Sequence, residues 1–262
     1  MLTNQCGHNI RAIGDTKLRR SNPRARAFRI ATRKKIAPRQ PSVAAVSEIC
    51  HVLHRVYEDP RHGNPRKPLD DLIYIVLSTR TRDASFTKTF RILKENFPSW
   101  NKLLPKDRRK LERILVPGGL GRLKARQITN IITQLRNHFG LATLSPLAKM
   151  TDRDAERFLT ALPGVGPKIA KCVLMYTLNR RVLPVDVHVH RLATRLGFWT
   201  KKRPDTSQEL IENAIAPKLR YSFHVNAVAH GRAVCFGQRP LCGKCQLSKW
   251  CQYYRLHRGL KK

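Results

Sequence analysis

Residues 161–178 read ALPGVGPKIAKCVLMYTL, and residues 183–192 read LPVDVHVHRL. The first stretch is an apolar helix end, a tight Pro-Gly-Val-Gly turn and a second helix. Pro167 sits at the first helical position, where its missing N–H costs nothing. Gly164 and Gly166 permit positive φ or the close approach of another backbone. The turn leaves the first N–H groups of the second helix bare, and such a helix start is a natural phosphate site. Contacts of that kind hold a nucleic-acid backbone without reading its sequence. An ordinary corner between two helices would look similar, apart from Lys168. That lysine lies in the first helical turn, where the helix dipole disfavours a cation. A deprotonated amine is a nucleophile that forms Schiff bases with carbonyl carbons. Eighteen positions further on, Asp186 follows Pro184 at the start of another helix. Alone it reads as an N-cap, a role in which Asp is favoured. With Lys168 it offers an amine and a carboxylate, the pair that cleaving a base from a sugar requires. The breaking bond puts positive charge on the sugar, and a fixed carboxylate stabilises it.

The rest of the chain suits a polyanionic partner. Its 262 residues carry 52 Lys and Arg against 17 Asp and Glu, a net charge of +35. An excess this large favours nucleic acid over a membrane surface. No segment approaches the ~20 apolar residues of a membrane span, and no signal peptide is visible. Residues 1–42 hold eleven Lys and Arg, one acid (Asp15) and scattered Pro. Their apolar content is too thin for a core, so they are expected to form a disordered arm that tracks phosphates, ahead of the other reading of an acid-poor, Arg-rich stretch, an organelle transit peptide.

From Val43 onward the pattern is helical. Val46, Ile49, Cys50, Leu53 and Val56 follow i, i+3, i+4, i+7 spacing. After the break PRHGNPRKP (60–68), Leu69, Leu72, Ile73 and Val76 mark a second helix, and Phe86, Phe90, Leu93 and Phe97 a third. Leu111, Ile114 and Leu115 mark a fourth, and Ile128, Ile131, Ile132 and Leu135 a fifth. Thr151 with Asp154, and Thr206 with Glu209, resemble capping boxes. No run alternates with period two over a strand's length, so the fold class is all-α.

Seven cysteines occur, and four of them fall in Cys235-x6-Cys242-x2-Cys245-x5-Cys251. Without a secretory signal, such a cluster reads as metal ligation before disulfides. Four thiolates suit either zinc or a [4Fe–4S] cluster, and they leave no open position for metal catalysis. Arg239 and Lys244 lie in the loops between the ligands, where they balance thiolate charge or rest on phosphates. Cys50 and Cys172 fall in apolar helical patterns and read as small buried hydrophobes. His188 and His190, two residues apart on a helix, do not share a face and are no metal pair.

LPGVGPK (162–168), VDVHVHR (185–191) and the cysteine spacing, in this order, resemble the endonuclease III family, the helix-hairpin-helix DNA glycosylase/AP lyases. The similarity spans about 43–255 and leaves the basic arm outside. It implies two helical lobes flanking a DNA groove. One is a six-helix barrel over 61–180; the other, from 43–60 and 181–262, holds a [4Fe–4S] cluster on Cys235, Cys242, Cys245 and Cys251. The resemblance makes Lys168 the nucleophile and Asp186 the catalytic aspartate. Lys168 would attack C1′ of a flipped nucleotide, form a Schiff base and nick the strand by β-elimination. The implied partner is double-stranded DNA with oxidised or ring-fragmented pyrimidines or abasic sites, met inside the cell by a monomer. LSTRTRDAS (77–85) resembles the segment that fills the hole left by the flipped base, with Arg80 where the family usually has glutamine. Arginine can donate to an orphan guanine as a fork. PGGLGRLKARQI (117–128) resembles a loop with an apolar wedge, and Leu120 would be its tip. Asp83 reads as a helix cap, and His188 as a residue lining the groove near Asp186. On the same scaffold the base removed could instead be uracil or mismatched thymine, 8-oxoguanine or a modified cytosine. A helix-hairpin-helix module that binds DNA without chemistry is the reading from another class.

Overall fold

The structure, a computed structural model, describes residues 40–61, 63–79, 85–118, 121–198 and 207–257. All but the last three residues of the expected arm lie outside this set, as do Arg80, Asp83, Leu120 and Thr206. The described residues contain eleven α-helices and no strand. They are α1 (Val43–Tyr57), α2 (Pro68–Ser78), α3 (Ser85–Asn96), α4 (Arg108–Leu115), α5 (Gly121–Phe139), α6 (Asp152–Thr160), α7 (Pro167–Tyr176), α8 (Val187–Leu196), α9 (Ser207–Ala214), α10 (Arg220–Ala233) and α11 (Gln252–His257). The fold is all-α.

Local chemistry sets the boundaries. Ser42 caps α1 by accepting the Ala45 N–H, and the helix stops at Glu58, which turns left-handed at φ 54°. Thr151 caps α6 by accepting the Asp154 N–H at 3.1 Å. The return bond differs from a capping box: the Thr151 hydroxyl donates to the Asp154 carboxylate at 2.7 Å. In α2, Leu72 to Leu77 are all buried. A helix apolar on nearly every side belongs in the middle of a core.

Buried side chains form two clusters. The first joins α2 to α7 through Leu72, Ile73, Leu93, Leu111, Ile128 and Val173, among others. The second joins α1 to the elements after residue 182, through Ile49, Leu53, Leu192, Ile211 and Phe223. The first helix therefore packs against the C-terminal part of the chain, chiefly α10. An ionic junction ties the two cores. Lys171 on α7 is only 8% exposed, with Nζ 2.7 Å from Glu212 on α9 and 2.9 Å from Glu156 on α6. Burial alone would pull its pKa down. The hydrogen bonds and charges of Glu212 and Glu156 outweigh that and raise it. Glu212 also accepts the Leu183 N–H at 3.0 Å and lies 3.3 Å from Arg220. Among the described residues no helix is long and apolar enough to cross a membrane.

Candidate active site

The turn between α6 and α7 is fixed from below by Leu162 and Val165, both nearly fully buried. Gly164 takes φ +77°, and a Cβ there would lie 2.1 Å from the Gln127 side chain. Gly166 is different. It is the extended N-cap of α7 (φ −95°), it brings no side-chain cap, and a Cβ on it would meet nothing within 4 Å. The space over Gly166 and the first N–H groups of α7 is thus open to another molecule. Lys168 follows in the first turn, half-buried.

Asp186 is the N-cap of α8 and accepts the N–H groups of His188 and Val189 at 2.9 and 2.8 Å. Both bonds end on Oδ1, so the cap occupies one carboxylate oxygen. Lys168 and Asp186, from the starts of successive helices, line one cleft of about 450 Å³. His188 lines it too, and its imidazole is pulled toward the neutral form, chiefly by burial. Arg191 donates to His188 Nδ1 at 2.9 Å.

The cleft contains groups that the sequence did not single out. Tyr176 and His224 share a hydrogen bond of 2.9 Å, and His224 Nδ1 lies 2.9 Å from the Pro184 carbonyl. A carbonyl can only accept, so Nδ1 carries the proton, and a neutral ring then accepts from Tyr176 at Nε2. Cys172 is buried, as expected, but it also lines the cleft beside Lys168. Burial pushes its thiol up to about 11. Asp71 on α2 is fully buried and is pushed up to about 7 by burial, against the pull of an Asn64 hydrogen bond and the Lys168 charge. In the sequence it reads as one of two acids in a first helical turn, and only the near-continuous apolar run around it hints that it lies inside.

The four clustered cysteines line one apolar cavity with Leu192, Leu196 and Leu247. No three His, Cys, Asp or Glu among the described residues are grouped closely enough to hold a single ion. Zinc would need its sulfurs ~2.3 Å from one point. Burial and the other three sulfurs push the Cys245 thiol up to about 11, so four thiolates here require a cationic centre. Four thiols lining one apolar cavity are a donor set that suits a thiolate-bound metal centre. Arg195 supports this loop, donating to Cys235 Sγ at 3.0 Å and to the carbonyls of Phe236 and Gly237. Arg239 is exposed, with φ 48°. Lys244 is exposed and lines a separate cavity of about 590 Å³ with Lys249 and Trp250, away from the Lys168 cleft.

Residues 73–217 match the HhH-GPD superfamily of base excision DNA repair proteins. The chain is 32% identical over 196 residues to an endonuclease III of Thermotoga maritima, covering 75% of this chain and 88% of that one. It is 31% identical over 180 residues to a candidate DNA glycosylase of Arabidopsis thaliana. That alignment covers 68% of this chain and 58% of the plant protein, so the chain spans little more than half of that relative. A solved endonuclease III, trapped as a covalent intermediate on DNA, shares the fold with a TM-score of 0.71 at 23% identity. The match covers 84% of this chain and 100% of that one.

Proposed function

Because the chain belongs to the endonuclease III family of HhH-GPD base excision repair DNA glycosylases, we propose that it removes damaged pyrimidines from duplex DNA and nicks the resulting site as an AP lyase. The observation that carries this reading is the shared cleft of Lys168 and Asp186. Its volume of about 450 Å³ is that of a small-molecule site and suits one extruded nucleotide. Lys168 attacks C1′ as the base departs, and Asp186 stabilises the positive charge that develops on the sugar. The nitrogen then forms a Schiff base, and β-elimination cuts on the 3′ side. The Gly164–Gly166 turn and the bare N–H groups of α7 hold a phosphate, and His188 lines the wall beside Asp186. Arg80 and Leu120 would fill the duplex behind the extruded nucleotide, and Arg239 and Lys244 would rest on the backbone.

Cys235, Cys242, Cys245 and Cys251 would hold a [4Fe–4S] cluster. When bound, the cluster supplies a rigid, charge-neutralising brace for the basic loop. Purified protein should be brown and contain iron and sulfide. A colourless protein containing zinc would overturn this assignment.

Borohydride trapping tests the reaction. Duplexes carrying an abasic site, thymine glycol, uracil or 8-oxoguanine are mixed with protein and reduced. The expected result is a covalent adduct that Lys168→Gln abolishes, and the base lesion trapped best names the substrate. Lys168→Gln should keep most of its DNA affinity, which comes from many phosphate contacts. An abasic duplex that yields no adduct would leave a DNA-binding protein without lyase chemistry.

A further inference from the structure

Behind the cleft, on α2, lies a carboxyl that the reaction above does not use. Asp71 is 0% exposed, and its Oδ2 has no hydrogen-bond partner among the described residues. Its Oδ1 accepts from Asn64 Nδ2 at 2.6 Å, and Asn64 itself lines the cleft with Lys168. A buried carboxyl with an orphaned oxygen is costly unless a positive charge faces it. Lys168, Cys172 and Tyr176, spaced four residues apart on α7, line that cleft with Asn64, and α7 packs against α2. Burial holds the Cys172 thiol and the Tyr176 phenol neutral. From α3, Lys94 binds Asp70 instead, and from α5, Lys124 donates to the Leu77 carbonyl. Of these groups, Lys168 supplies the positive charge that favours the Asp71 anion.

We propose that the Asp71 carboxylate is the counter-charge of the Lys168 nitrogen, in the free ammonium and in the iminium it forms with the sugar, and so a positioning residue beneath the reaction. The inference rests on Lys168 being the nucleophile. The ammonium first loses one proton to solvent. As the amine forms its bond to C1′, the C1′–base bond breaks and its electron pair leaves with the base. The adduct nitrogen then gives a proton to O4′ as the C1′–O4′ bond opens to the iminium. The nitrogen thus carries one positive charge at the start and at the end. Asp71 exchanges no proton in these steps. Its field favours both cations.

Removing the carboxylate takes away the charge proposed to face both cations. The test is single-turnover adduct formation with saturating abasic duplex and cyanoborohydride, followed from about pH 6 to 9, using the full chain with its native metal content. In Asp71→Asn the bell-shaped profile should move toward lower pH by about 1 unit, with its height changed only several-fold. Asp71→Glu should restore much of the wild-type position. An Asp71→Asn profile that keeps the wild-type position, whatever its height, overturns the inference, because lost packing lowers a profile without moving it. A wild-type protein that forms no adduct at any pH removes the nucleophile assignment itself. Should Asp71→Asn fail to fold, Asn64→Ala takes its place. It removes the hydrogen bond that favours the Asp71 anion and should move the profile the same way by less, and an unmoved profile again overturns the proposal.

Discussion

At Asp71 the fold keeps a carboxyl out of water in a helix whose next six residues are all buried. Its pKa is raised from 3.8 to about 7, chiefly by burial. Between those values the native state holds a proton that the unfolded chain has released. Stability from this group is complete below the ordinary carboxylate range and is lost as pH rises through about 7. Asp71→Asn carries no such loss. Its melting temperature relative to wild type should rise between about pH 5 and pH 8, the gain reaching on the order of 4 kcal/mol at most. Equal differences at the two pH values would mean that Asp71 ionises like a solvated acid. Asp186 shows the opposite arrangement, with a carboxylate satisfied by two backbone N–H groups at a helix start.

Two glycines of one turn have separable tasks. Gly164→Ala puts a side chain at φ +77° and against Gln127. It should cost about 1 to 2 kcal/mol of stability, read by denaturant titration. Gly166→Ala meets nothing in the protein. It should leave stability within about 0.5 kcal/mol while weakening DNA binding about tenfold, the equivalent of roughly 1.4 kcal/mol. Unchanged binding in Gly166→Ala would mean that DNA does not approach this helix start. The sequence could not separate the two, because both are the same letter in the same turn and only backbone angles distinguish them. The helices themselves were legible, since apolar spacing and caps such as Thr151 are local signals. The cleft was legible in part. Lys168 and Asp186 sit in short motifs that carry their own chemistry. Tyr176 and His224 become cleft residues, and Asp71 the carboxyl behind them, only once α2, α7 and α10 pack together, and no local pattern records that.

Across the molecule, the junction at Lys171 spans both cores. Lys171→Met would leave Glu156 and Glu212 without their shared cation and should cost about 3 to 5 kcal/mol. Adding Glu212→Gln to Lys171→Met should recover part of that loss, and chemical denaturation of the single and double variants tests it. At the N-terminus, deleting residues 1–39 keeps Ser42 and its cap on α1. It should weaken DNA binding and flatten the dependence on salt by about 0.9 in log–log slope per lost phosphate contact. Adduct formation at saturating DNA should persist.

The packing of α1 against α10 also bears on how the protein is made. A ribosome delivers Val43–Tyr57 first and Arg220–Ala233 near the end. At about 5–20 residues per second, the apolar face of α1 waits on the order of ten seconds for its partner. The first core can close during that interval, because its buried residues lie between Leu69 and Val182. The newborn chain would therefore carry one finished core and one exposed amphipathic helix. The cysteine loop follows α10 in the chain, so the partner of α1 is made before the proposed metal site is complete. A chaperone that meets this protein during synthesis would find different surfaces at different chain lengths.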